Sequence, residues 1–258
     1  VTSLLFPWGV LSLIGVGTGI VGSVTGAGGG FLLVPILLVA YPGDSVQAIT
    51  SISLAVVAVN AFSSTVAFAR LGRIDWKAGS VFAAASVPTA VLGALATKVL
   101  PRGSFDIGFG IFLCALAFYL AFRARATEGA RRPTEVNIPK GAVLSGAIGF
   151  FSSLLGIGGG FIQVPMLTQL LGYPVQVATA TSQYILTFMA VTGTITHVLS
   201  GEFETGIRRT IALGIGVMIG AQVGARLSSR VSGGWVLKAL AFGLLLAGLR
   251  LIIGFMSG

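Results

Sequence analysis

The sequence predicts an all-α polytopic membrane protein made of two homologous halves. Three observations carry that expectation. The 258 residues are 55% hydrophobic and only 9% charged, with a mean hydropathy of +0.98. The charges are confined to breaks between apolar runs. A glycine-rich string in the first half returns in the second, 130 residues later. A soluble domain carries about 25% charged residues, and a globule of this size could not cover its surface with so few. A cytosolic enzyme, a nucleic-acid-binding domain and a disordered chain are thereby excluded, which leaves a chain whose solvent is the lipid bilayer. The formal charge of +9 then reads as basic loops facing an anionic leaflet rather than as a nucleic-acid footprint. The single cysteine, Cys114, lies in an apolar run and offers no disulfide framework.

The elements follow from where charge is missing, because a charge at a helix centre costs about 2.5–3.5 kcal/mol on insertion. The charge-free stretches are 1–43, 45–69, 78–97, 107–122, 141–201, 210–225 and 239–249. The first lacks the basic start of a signal peptide and belongs to the fold. A crossing takes about 20 residues, so 1–43 and 141–201 must each be split. Each contains three glycines, then a short apolar piece ending at a turn: Phe31 to Val39 before Tyr41-Pro42-Gly43, and Phe161 to Leu171 before Gly172-Tyr173-Pro174. Each half therefore reads as helix, glycine break with a short helix, long helix, helix, helix. The basic stretch 125–139 links a first repeat, 1–124, to a second, 140–258.

The repeat is explicit in the residues. Gly28-Gly29-Gly30-Phe31 recurs as Gly158-Gly159-Gly160-Phe161, with Pro35 and Pro165 at the same offset. Thr50-Ser51 and Thr181-Ser182, and Gly93-Ala94 and Gly224-Ala225, match at 131. If the short helix does not cross the membrane, each half has four crossings and the halves run parallel. If it does cross, each has five and they are inverted. The loop charges lean toward inversion: Arg70 to Lys77 is basic where Glu202 to Arg209 is neutral, and the next loop pair reverses the bias. Two-repeat membrane proteins with broken helices are typically transporters, with the site at the repeat interface.

The glycine breaks carry the chemistry. Without Cβ, the backbone can unwind and a ligand can approach it. Unwound backbone at membrane depth is tolerated only where it is buried or lines a cavity. A helix starting after the glycines offers free N–H groups and the positive end of its dipole, which together hold anions. Close helix packing through small residues is the competing reading.

The strings Gly26-Ala27-Gly28-Gly29-Gly30-Phe31-Leu32-Leu33-Val34-Pro35 and Gly156-Ile157-Gly158-Gly159-Gly160-Phe161-Ile162-Gln163-Val164-Pro165 resemble the sulfite exporter TauE/SafE family. The resemblance spans nearly the whole chain. It implies export of small sulfur-containing anions, such as sulfite or organosulfonates, across a bacterial plasma membrane. It does not fix the ligand.

The site expected from this reading comprises Gly28, Gly29, Gly30, Phe31, Gly158, Gly159, Gly160 and Phe161, with Thr50, Ser51, Thr181 and Ser182 adding hydroxyls near the start of the long helices. Gln163 and Gln183 join them, because an amide in hydrocarbon needs a partner. Their first-half counterparts, Leu33 and Ile52, are apolar, so the site is expected to be asymmetric. His197, the sole histidine, is a candidate coupling residue by titration near neutrality or an interfacial residue near a helix end. Metal and cofactor are not expected: one His, one Cys and seven loop carboxylates form no ligand cluster, and the glycine runs lack the Lys-Ser/Thr of a phosphate loop. The expected partners are a small anion and the bilayer, with a second copy of the chain as a further candidate. Transport of another small anion such as a carboxylate, or a non-transporting membrane subunit, are the alternatives. An intramembrane hydrolase using His197 is disfavoured, because no G-x-S-x-G nucleophile motif is present.

Overall fold

The computed structural model describes residues 8–123, 136–201, 206–228 and most of 241–253. The elements are α1 (Trp8–Thr25), α2 (Gly30–Ala40), α3 (Val46–Arg70), α4 (Trp76–Ala96) with a 3-10 turn at Thr97–Val99, α5 (Arg102–Arg123), α6 (Ile138–Leu155), α7 (Gly160–Pro165) extended by a π turn at Met166–Leu170, α8 (Val175–Leu199) and α9 (Ile207–Leu227). Helical residues resume between 241 and 253, where Gly248 lies against Gly110 and Cys114 of α5. Most of the basic linker expected at 125–139 lies outside the described residues.

Local chemistry sets the boundaries. Ser45, Asp75 and Asn137 cap α3, α4 and α6, each side chain accepting the N–H three residues on at 3.0–3.1 Å. Proline at 165 cannot donate to the ladder, and the helix behind it widens into the π turn. Among the described residues, five helices, α1, α3, α4 with its 3-10 extension, α6 and α9, are long and apolar enough to cross a membrane. The surface is that of a bilayer protein: Leu13, Phe62, Leu92, Val143, Ile215 and Ile219 are exposed, while Asn60, Ser64, Gln163, Gln183 and His197 are buried.

The helices join through small residues. On α9, Gly216, Gly220 and Gly224 lie against the backbone of Ser12, Val16 and Ile20 of α1. On the opposite side of the bundle, Gly93 of α4 packs on Phe150 of α6, and Gly141 and Gly149 of α6 pack on Phe82 and Ser86 of α4. Lipid offers little hydrophobic drive between helices, so close backbone approach supplies the attraction. The first helix of each half thus packs on the helix after the long third element of the other, α1 on α9 and α6 on α4, and α3 packs on α8 between them.

These contacts fix the helix directions. Contact positions rise together along α1 and α9 and along α4 and α6, so those pairs are parallel. Ile52 meets Gly206, and Ser63 meets Gln222, so α3 is parallel to α9. Leu54 meets Gly193 while Thr65 meets Thr187, so α3 and α8 are antiparallel. The amide of Gln47 reaches the carbonyl of Thr97 at 2.8 Å, so α4 returns beside α3. Helices α1, α3 and α9 therefore run one way and α4, α6 and α8 the other, so α6, α8 and α9 run opposite to α1, α3 and α4 respectively.

The short helices return toward the side their hairpin entered from. Asp44, after α2, pairs with Arg209 in the first turn of α9, and the Arg209 guanidinium lies 3.6 Å from the Tyr41 ring centre. That is the level at which α1 begins. On the other face, Tyr173 after the π turn donates to Asp75 at the start of α4, at 2.8 Å. Each short helix is thus a pass of its own. Corresponding long helices of the two halves, α1 and α6, α3 and α8, α4 and α9, therefore run in opposite directions.

Candidate functional site

The two breaks meet at the middle of the long helices. Each is built alike: Gly26, Gly28 and Gly29 have φ of 74°, 76° and 82°, and Gly156, Gly158 and Gly159 have φ of 68°, 81° and 49°. Gly29 and Gly159 are the N-caps of α2 and α7, and neither cap has a side-chain partner. Only glycine holds the left-handed conformation at no steric cost, which explains the spacing of the string and the reversal of the chain. A Cβ on Gly30 would lie 2.5 Å from the Ile157 carbonyl oxygen, and Gly160 stands in the same relation to the Gly26 carbonyl. The rings of Phe31 and Phe161 meet edge-on at 6.4 Å.

The long helices close around this contact. Thr50 of α3 lies against Gly156, and Thr179 of α8 against Gly26. Val57 and Leu186, facing each other from α3 and α8, touch both Gly28 and Gly158 and form an apolar plug at the junction.

Six buried backbone N–H groups at the junction have no acceptor among the described residues: those of Gly29, Gly30 and Phe31, and of Gly158, Gly159 and Phe161. The N–H of Gly160 reaches only its neighbour's carbonyl, Gly158, at 2.5 Å. Buried N–H groups without partners are rare. Here they gather where α2 and the α7–π segment begin, beside the positive end of each helix dipole.

The expected side chains fall into three groups. Ser182 donates to the Gly26 carbonyl at 3.0 Å and Gln183 to the Gly22 carbonyl at 2.7 Å, which ties α8 to the first break. Thr50 and Ser51 donate to carbonyls of their own helix, at 2.9 Å to Val46 and Ala48, and Thr181 accepts the Asp75 N–H at 3.0 Å. Gln163 donates to Ser145 at 2.9 Å, and its carbonyl oxygen has no donor. His197 is buried in the last turn of α8, eleven residues past Leu186 and so about 16 Å along the axis. The structure does not bring it to the breaks.

Two further side chains reach the break and were not among the expected site residues. The Asn60 amide nitrogen and the Ser152 hydroxyl are buried without a partner. A Cβ on Gly22 would lie 2.8 Å from the former, and one on Gly159 would lie 3.0 Å from the latter. The signal available for Asn60 was an amide in the middle of an apolar run. Ser152 carried none that set it apart from other serines.

Beside the second break, an apolar cleft of about 410 Å³ opens between α5, α6 and α7. Phe161 forms part of its wall and also contacts Phe112 of α5 at 5.6 Å.

Comparison with known proteins adds the family. The family model described as Sulfite exporter TauE/SafE matches residues 11–251. The probable membrane transporter protein YunE of Bacillus subtilis is 30% identical, over 75% of this chain and 79% of its own length. A probable membrane transporter protein of Methanocaldococcus jannaschii is 34% identical, over 75% and 73% respectively. One from Haemophilus influenzae is 27% identical, over 69% and 67%. No solved structure matches.

Proposed function

The chain belongs to the sulfite exporter TauE/SafE family and is an integral membrane transporter, and we propose that it exports a small sulfur-containing anion, sulfite or an organosulfonate, bound where the two glycine breaks meet. One observation carries this reading: six buried N–H groups without acceptors among the described residues sit at the starts of two short helices whose breaks touch. An oxyanion would satisfy them from both sides. No acidic side chain lies within the membrane runs to repel it, and backbone donors need no buried cation.

Ser182 and Gln183 hold the first break in place. Gly28, Gly29, Gly30 and Phe31 bind from one side, and Gly158, Gly159, Gly160 and Phe161 from the other. The Val57–Leu186 plug closes the path in the present conformation, so binding requires α3 and α8 to part. The two bodies that move are then α1, α3 and α9 against α4, α6 and α8, each drawn from both halves of the sequence. Neutral donors suit flux down a gradient without a proton relay.

The test is flux into proteoliposomes of sulfite, sulfoacetate, sulfate, taurine and a carboxylate at fixed ionic strength. Saturable flux of one sulfur anion, lost in Gly159→Leu, is the expected result. Preference for the carboxylate would move the substrate class, and absence of all flux would favour a non-transporting subunit.

A further inference from the structure

We infer that Asn60 is the side-chain donor of the anion site at the first glycine break, a role that rests on the binding proposed there. Asn60 lies near the centre of α3 and is 0% exposed, and its amide nitrogen has no acceptor among the described residues. It stands beside the backbone of the break. The point where a Cβ on Gly22 would sit is 2.8 Å from the Asn60 nitrogen and 2.5 Å from the nitrogen of Gly29. The Gly29 N–H also has no acceptor. Two such donors, each reaching about 2.9 Å, are close enough for one oxyanion to accept from both. The eleven-residue α2 begins at the next residue and adds the positive end of its dipole.

The surroundings hold the amide in this orientation. Ser64 and Ser23 share a short hydroxyl contact, and Ser23 donates to the Asn60 carbonyl oxygen at 3.4 Å. With its oxygen engaged, the amide turns its two N–H donors the other way. The Gly22 carbonyl accepts from the Gln183 amide at 2.7 Å and from the Gly28 N–H at 3.2 Å. A structural asparagine would spend its N–H groups on such a carbonyl, because a buried unsatisfied amide is costly. Here they point at the break and meet nothing.

The position 131 residues on, the offset that relates α3 to α8, is Val191, so the second break has no such amide. The anion is therefore held unequally, with its charged oxygens nearer the first break.

The test is isothermal titration of sulfite into the purified full chain in nanodiscs at pH 8, for wild type, Asn60→Leu, Asn60→Asp and Gly159→Leu. Size-exclusion profiles and helical circular dichroism report folding. Removing a donor to a charged group is expected to weaken binding about 10- to 100-fold in Asn60→Leu. Asn60→Asp is nearly isosteric and keeps the acceptor for Ser23, so a merely structural role predicts wild-type binding. The inference predicts binding weaker than in Asn60→Leu, because a carboxylate would face the anion. Asn60→Asp binding within twofold of wild type, with Gly159→Leu inactive, would overturn the role of Asn60 and leave the glycine site standing. A wild-type chain that binds neither sulfite nor sulfoacetate, sulfate or a carboxylate would overturn both.

Discussion

Gly30 and Ile157 meet through their backbones: a Cβ on Gly30 would come within 2.5 Å of the Ile157 carbonyl oxygen. Gly160 and Gly26 repeat the contact from the other side. The glycines therefore serve two ends at once. Their conformations turn the chain back on itself, and their missing side chains let the two turns touch. The packing reading and the proposed anion site, which the sequence set against each other, draw on the same residues.

Gly30→Ala and Gly160→Ala should each destabilise the fold by about 1–3 kcal/mol, the usual cost of overpacking. Backbone is the obstacle in both cases, so no side chain can swing aside. Gly17 of α1 has nothing within 4 Å of its Cβ position. Gly17→Ala should be neutral or stabilising by about 0.5–1 kcal/mol. Denaturant unfolding in micelles, followed by circular dichroism, compares the three. Equal stabilities would remove the tight-contact argument.

The Val57–Leu186 plug gives a second expectation. Leu186→Ala deletes the methyls that lie against Gly28 and Gly158. It should cost about 2–5 kcal/mol of stability and raise uncoupled anion flux, because the apolar seal between α3 and α8 is thinned. Leu186→Met, which conserves volume, should restore the seal. Proteoliposome leak rates at matched protein density measure this. An unchanged leak in Leu186→Ala would place the barrier elsewhere.

Much of the architecture was legible because glycine and charge are conspicuous against an apolar background. The breaks at Gly28–Gly30 and Gly158–Gly160 and the long helices on either side stand where the composition puts them. Whether the short helices return was not legible, because it depends on the φ of Gly29 and Gly159 and on the distant anchors Asp44–Arg209 and Tyr173–Asp75. Hydroxyl roles were not legible either. Thr50 and Ser51 look like donors in a sequence, but a hydroxyl on a helix finds its own carbonyl three or four residues back. Asn60 could be judged only once α1 was known to pack beside α3 and present Gly22 to it.

On the face where α1 begins, Arg209 of one half is clasped by Asp44 and Tyr41 of the other. Arg209→Gln removes the ion pair and the cation–π contact together. A half-buried pair near the surface contributes about 0–1 kcal/mol and the ring contact about 0.5–1 kcal/mol. A loss of about 1–2 kcal/mol is expected, shrinking at high salt because the pair is near the surface. A double-mutant cycle with Asp44→Asn should show coupling. Strict additivity would mean the two residues are neighbours without interaction.

Ser152 separates hydroxyls that are free from those that are committed. Its oxygen is buried without a partner, 3.0 Å from the Cβ position of Gly159. Thr50 and Ser51 already donate to α3 carbonyls. If an anion accepts from the second break, Ser152→Ala should weaken its binding about tenfold or more, since a hydrogen bond to a charged group contributes about 1.5–3 kcal/mol. Ser152→Thr retains the hydroxyl and should recover most of the affinity. Thr50→Val and Ser51→Ala should change it less than threefold, because their protons are spent within the helix. Titration of sulfite into the four variants ranks them directly. The reverse order, with Ser51→Ala harmful and Ser152→Ala silent, would mean that α3 turns its hydroxyls toward the ligand on binding and that the orphaned serine only fills space.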